Sequence, residues 1–118
     1  MTGAEKLTGK MVLVGLVFYD ENGSVLKQEQ RHGRISDVGQ SGIALALTSG
    51  DRFVLPPDAS LLQPAPQGSF REQSSGEVVE APDFIANWFL IRNVVDGSES
   101  WTWRPAPRIF FPPDEPDV

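Results

Sequence analysis

MVLVGLVFY, residues Met11 to Tyr19, runs straight into Asp20-Glu21-Asn22-Gly23. The run is less than half of the roughly 20 residues needed to cross a bilayer as a helix. It follows Lys6 and Lys10, as the apolar part of a secretion signal would, but it ends in Asp20-Glu21-Asn22 without a small-x-small cleavage site. A buried strand entering a hairpin is the better reading. Asn22-Gly23 supplies two residues that tolerate positive φ, which predicts a type I′ turn between strand Lys10 to Tyr19 and a second strand from Ser24 to Arg31. Gly33 predicts a bulge or sharp bend before Arg34 to Val38, so that one long bent strand serves two sheets. Leu16 and Phe18 set the inward register of the first strand with Val12 and Val14. Leu13, Gly15 and Val17 are apolar too, so both of its faces are expected to be covered.

Working outward, Gly39-Gln40-Ser41-Gly42 reads as a turn into Ile43-Ala44-Leu45-Ala46-Leu47, where large and small apolar residues alternate with period two. Ser49-Gly50-Asp51 turns into Arg52-Phe53-Val54-Leu55, closed by Pro56-Pro57, which lack ladder donors. Residues 56–68 form a connector with one helical turn near Asp58 to Leu62. Short strands follow at Ser69 to Gln73 and Glu77 to Glu80, then a longer one from Phe84 to Ile91. No stretch carries the i, i+3, i+4, i+7 stripe of an amphipathic helix. The fold class is all-β, a small barrel or open roll of six to seven short strands. Its core is expected to hold Val12, Val14, Leu16, Phe18, Ile43, Leu45, Leu47, Phe53, Leu55, Phe84, Trp88 and Leu90.

With 118 residues, one domain is expected, divided into a flexible N-terminus (1–9), a β-barrel (10–91) and an aromatic and Pro-rich C-terminal extension (92–118). That extension holds Trp101, Trp103, Arg104, Arg108, Phe110 and Phe111, and Arg104-Pro105-Ala106-Pro107-Arg108 reads as polyproline II. Four large aromatics in water are unfavourable. Either Trp101-Thr102-Trp103 adds a strand to the barrel, or these six residues form an anchor patch for a protein partner. Docking on the chain's own barrel costs less entropy than recruiting a second chain and is the favoured alternative.

Chemistry is sparse. Cysteine is absent, and His32 is the single histidine, so thiolate sites, a cysteine nucleophile and a multi-histidine zinc site are excluded. Gly3 to Lys10 has neither the spacing nor the Ser/Thr of a phosphate loop, and Asn22-Gly23-Ser24 is explained by the turn without glycosylation. The carboxylate groups Asp20/Glu21, Glu77/Glu80 and Asp114/Glu115/Asp117 fall where solvent keeps them ionised, and no Gly-x-Ser-x-Gly elbow serves His32. No catalytic, cofactor or metal residue is assigned. Lys27, Arg31, His32 and Arg34 form the one local basic cluster, interrupted by Glu29, and read as a charged sheet edge that prevents aggregation.

The order of elements, a long bent hairpin around Asn22-Gly23, a second around Ser49-Gly50 and a Pro-rich turn, resembles small SH3-like β-barrels over about half the chain. The resemblance implies a binding module. A net charge of -6 suits steering toward a basic partner and disfavours nucleic acid. The expected function is therefore a non-enzymatic, cytoplasmic protein-binding module, most concretely a bacterial immunity-type inhibitor of a basic toxin domain. The alternatives are a nucleic-acid or translation-associated barrel using Lys27, Arg31 and Arg34, and a ligand binder or enzyme with a pocket at the barrel mouth.

Overall fold

The computed structural model describes residues 6–72 and 75–106. The chain is all-β: β1 (Met11–Tyr19), β2 (Val25–Gly39), β3 (Gly42–Leu47), β4 (Arg52–Leu55), a 3-10 turn (Ala59–Leu61), β5 (Gln63–Pro64), β6 (Ser69–Arg71), β7 (Val78–Glu80), β8 (Phe84–Val95) and β9 (Ser98–Pro105). Seven strands form one sheet in the order β4-β3-β2-β1-β8, with β5 and β9 sharing the far edge of β8. β6 and β7 form a separate hairpin. Neighbours in the large sheet are antiparallel except β1 and β8, which run parallel from Val12↔Phe84 to Tyr19↔Ile91.

The sheet curls into an open half-barrel. Alternate residues of its strands point into the concave side, where Val12, Val14, Leu16, Ile35, Ile43, Leu45, Leu55, Leu62, Ala86, Trp88 and Leu90 are buried together. Phe18, Leu47, Phe53 and Phe84 pack against them half-buried, so all twelve positions expected in the core lie there. The two ends of the curl meet through side chains, with the Phe53 ring of β4 6.1 Å from the Trp103 ring of β9. The other face of β1 is buried as well, from Leu13 to Val17. Leu13 is fully buried under Phe70 of β6 and Val79 of β7, with Met11 and Ile85 beside them.

Several local expectations differ from the structure. At the first hairpin, positive φ occurs at Gly23 but not at Asn22, and the Gly23 N–H bonds to the Asp20 carbonyl while the Asp20 N–H bonds to the Ser24 carbonyl. This is a three-residue loop, a type I turn closed by a left-handed glycine, and it is stabilised by the Asp20 carboxylate accepting from the Asn22 and Ser24 N–H groups. The type I′ turn sits instead at Asp96-Gly97, where both residues have positive φ and Val95 faces Ser98. It joins β8 to β9, so the boundary drawn at Ile91/Arg92 falls inside β8. Arg104 and Pro105 belong to β9 and not to a polyproline segment.

Gly33 makes no bulge. It pairs in register with Val12 and Leu47, and a Cβ there would stand 2.6 Å from the Ala46 carbonyl oxygen, so the residue is needed for close strand approach. The irregularity of β2 lies at Ser36, between the Ile35↔Leu45 and Asp37↔Ala44 pairs. The N-terminal segment is not free over residues 7–9, since Leu7 packs on the core and the Gly9 N–H bonds to the Ile35 carbonyl.

Candidate functional site

β2 is fifteen residues long and β3 only six, so β3 ends opposite Gly33 and the first half of β2 runs on without it. Among the described residues, no strand pairs with that edge of β2 from Val25 to His32. Period two then divides this half-strand. Lys27, Glu29 and Arg31 stand opposite Phe18, Leu16 and Val14 on the concave side, and His32 stands opposite Leu13 on the convex side. The basic cluster is therefore split between two faces, as alternation requires in the absence of a bulge at Gly33.

The concave half of the cluster is spent on the chain itself. Glu29 bridges Lys27 Nζ at 3.4 Å and Arg31 Nη2 at 3.1 Å. Lys27 Nζ also lies 4.6 Å from the centre of the Phe18 ring, and the Arg31 guanidinium 5.3 Å from that of Phe53, both within cation–π range. Arg34 on the convex side donates to the Gly9 carbonyl at 2.9 Å.

The convex half holds the more unusual group. His32 is 7 % exposed and Glu72, just after β6, is 6 % exposed, and His32 Nδ1 is hydrogen-bonded to Glu72 Oε2. A buried carboxylate is costly unless its lone pairs are satisfied. Glu72 Oε1 meets that need by accepting from Ser75 Oγ at 2.8 Å. The turn between β6 and β7 is pinned by backbone bonds from the Glu72 N–H to the Glu77 carbonyl and from the Gly76 N–H to the Glu72 carbonyl. This places the Glu77 carboxylate on the far side of the imidazole, with Oε2 3.8 Å from His32 Nε2.

These groups line a pocket of about 270 Å³ between the first half of β2, the β3–β4 turn and the β6–β7 turn. Three carboxylates, Glu29, Glu72 and Glu77, look onto it against one guanidinium, Arg31. Three hydroxyls also lie there, and each gives its single proton to a carboxylate: Ser75 to Glu72, Thr48 to Glu77 at 3.4 Å, and Ser49 to Asp51 at 3.0 Å. A nucleophilic serine needs its proton directed at the base. In this pocket the three hydroxyls face acids and not a base. Among the described residues no group of three His, Asp or Glu side chains is arranged to hold a metal ion.

Two of the six residues proposed from sequence for partner binding, Trp101 and Trp103, pack on the chain's own core. Trp101 meets the Phe18 ring edge-on at 5.4 Å, and Trp103 meets Trp88 edge-on at 5.8 Å, both half-buried against the main core. β9 thus docks on its own sheet, through a ladder from Val95↔Ser98 to Trp88↔Pro105. Arg104, on the alternate face of β9, is exposed. Arg108, Phe110 and Phe111 lie outside the described residues.

The pocket residues carried no sequence signal of their own, because His32 and Glu72 are forty positions apart and join only when the β6–β7 hairpin closes over β2. No family model, curated protein or solved structure matches this chain. Among the described residues no helix is long and apolar enough to cross a membrane.

Proposed function

We propose that the chain is a non-enzymatic protein-binding module with a basic partner, most concretely an inhibitor of the bacterial immunity type that covers the cationic site of a toxin. The observation that carries this reading is the carboxylate-lined pocket set directly beside the outer edge of β2 from Val25 to His32, which pairs with no strand among the described residues. An open strand edge offers main-chain donors and acceptors to a partner segment, and the neighbouring acid supplies charge complementarity. The net charge of -6 adds long-range attraction toward a basic surface. The nucleic-acid alternative has less support, because Lys27, Arg31 and Arg34, which it would use, are all engaged within the chain.

The test is identification of the bound protein after affinity capture from the native source, followed by calorimetry with the purified pair. A basic partner whose affinity falls steeply with added salt, and whose binding protects the Val25 to His32 amides from exchange, supports the reading. An acidic partner, or tight salt-independent binding, overturns the electrostatic account.

A further inference from the structure

The pocket around His32 has a chemistry that the general reading does not specify. His32 is more than nine-tenths buried, and its Nδ1 is committed to Glu72. Its other nitrogen, Nε2, has no hydrogen-bond partner within 3.5 Å among the described residues and faces Glu77 Oε2 across 3.8 Å. A neutral imidazole that donates from Nδ1 to a carboxylate presents a lone pair at Nε2. Nε2 and Glu77 Oε2 are then two acceptors with no donor between them.

We propose that this gap receives a primary ammonium, the side-chain head of a lysine from the basic partner; the inference rests on the protein-binding reading above. Geometry selects the ammonium over a guanidinium. A single nitrogen placed about 2.8 Å from each of two atoms 3.8 Å apart subtends roughly 85° between them, within reach of the tetrahedral N–H directions of an ammonium. The planar fork of arginine matches the two oxygens of one carboxylate, which lie much closer together. Size selects a side chain over a cofactor, since about 270 Å³ is below the range of drug-sized ligand sites, about 300–1,000 Å³.

The charges around the gap agree. From the β6–β7 hairpin, Glu72 holds the ring and Glu77 faces it. From β1 the neighbour is apolar Leu13, and from the β3–β4 turn come only the hydroxyls of Thr48 and Ser49. Arg31, the one guanidinium on the pocket, is tied to Glu29 and stacked on Phe53. Arg71 of β6 turns away to donate to the Gly76 carbonyl. An entering ammonium therefore meets unneutralised carboxylate at Glu77.

Because His32 is the single histidine, its ring reports on the pocket without ambiguity. The experiment follows the ring 15N and 1H resonances of the full chain at mildly alkaline pH while Nα-acetyl-lysine N-methylamide is added. The same titration with the norleucine and arginine analogues serves as control. The expected result is a neutral ring protonated at Nδ1 and a saturable movement of Nε2 with the lysine analogue, larger than with arginine and absent with norleucine. Glu77→Gln, at a half-exposed side chain, should weaken the lysine titration about tenfold or more, as expected for losing a charge-assisted bond. A ring protonated at Nε2, an equal response to norleucine, or a response to Zn²⁺ and not to the amine overturns the assignment. Once the protein partner is identified, its binding surviving Glu77→Gln unchanged overturns the pocket and leaves the wider reading intact. Lysine-analogue binding by a chain whose captured partner is acidic does the reverse.

Discussion

The concave and convex faces of the large sheet are made from alternate residues of the same strands, yet they solve opposite problems. On the concave side, β1, β3, β4 and β8 contribute aliphatic side chains that interlock, and the Phe53–Trp103 contact brings the two edges of the curl together. On the convex side, a hairpin of two three-residue strands covers only Leu13 and its neighbours, and immediately beside this small apolar patch lies the buried His32–Glu72 pair. Burial on the first face is uniformly apolar. On the second it takes in polar side chains as well, the hydrogen-bonded His32 and Glu72 and also Asn87. One face is suited to holding the molecule together, the other to receiving a charged group.

Substitutions at the centre of each face test this division. Leu45→Ala, fully buried on the concave side, should lower stability by about 2–5 kcal/mol in urea unfolding, with the transition still a single step. Phe70→Ala removes an equally buried ring, but from the small hairpin. It should free the β6–β7 amides to exchange and disperse the His32 resonance while the global midpoint falls less than for Leu45→Ala. If Phe70→Ala unfolds the whole chain as readily as Leu45→Ala does, the two faces are one cooperative unit and the contrast fails.

Next in size is the buried pair. Glu72→Ala leaves the buried His32 Nδ1–H without its acceptor, and should cost about 1–3 kcal/mol. Replacing His32 by Phe in that background removes the orphaned donor and should recover part of the loss. A double variant no more stable than Glu72→Ala alone would mean that the pair is held in place by the hairpin and adds little itself.

The concave face was the legible one, and for a physical reason. Ile43 to Leu47 alternates large and small apolar residues with period two, and in the wholly apolar Met11 to Tyr19 the larger Leu16 and Phe18 choose the inward register, so the expected core positions could be read from spacing together with side-chain size. β9 was half legible. Trp101-Thr102-Trp103 predicts an added strand, but the proline-rich, unalternating composition that follows masks Asp96-Gly97, one of the strongest two-residue hairpin signals. The same rule misplaced the turn type at Asn22-Gly23, where a third loop residue and the Asp20 side chain favour a type I turn instead. The His32 pocket was illegible. Its members come from β2 and from the turn between two very short strands, and their identities as solvated acid and edge base changed only when the hairpin buried them.

The smallest expected effect belongs to the tip of the first hairpin, where β1 leaves the sheet on the side away from the pocket. The Asp20 carboxyl is held below its ordinary value of 3.8, first by the hydrogen bond from the Ser24 N–H and then by that from Asn22, with Arg92 nearby adding attraction. The Arg92 guanidinium bonds to Glu21 Oε1 at 2.9 Å and 3.1 Å, tying this tip to β8. A folded value below the unfolded one means that the carboxylate favours the folded state above pH 3.8, and that this contribution is lost as the pH falls through the folded value. Asp20→Asn should therefore lower stability slightly at neutral pH, where the carboxylate's contribution is present, and change little well below pH 3.8, so that the acid limb of the curve flattens; the effect is small because the group is fully exposed and well screened. The measurement is thermal unfolding from acid to neutral pH for both proteins. Since the tip is far in sequence and chemistry from Glu77, Asp20→Asn should also leave the lysine-analogue titration of His32 where it was. A variant that shifts both would mean that a change in the first turn reaches along β2 to the pocket, and the two ends of that strand could no longer be treated as independent.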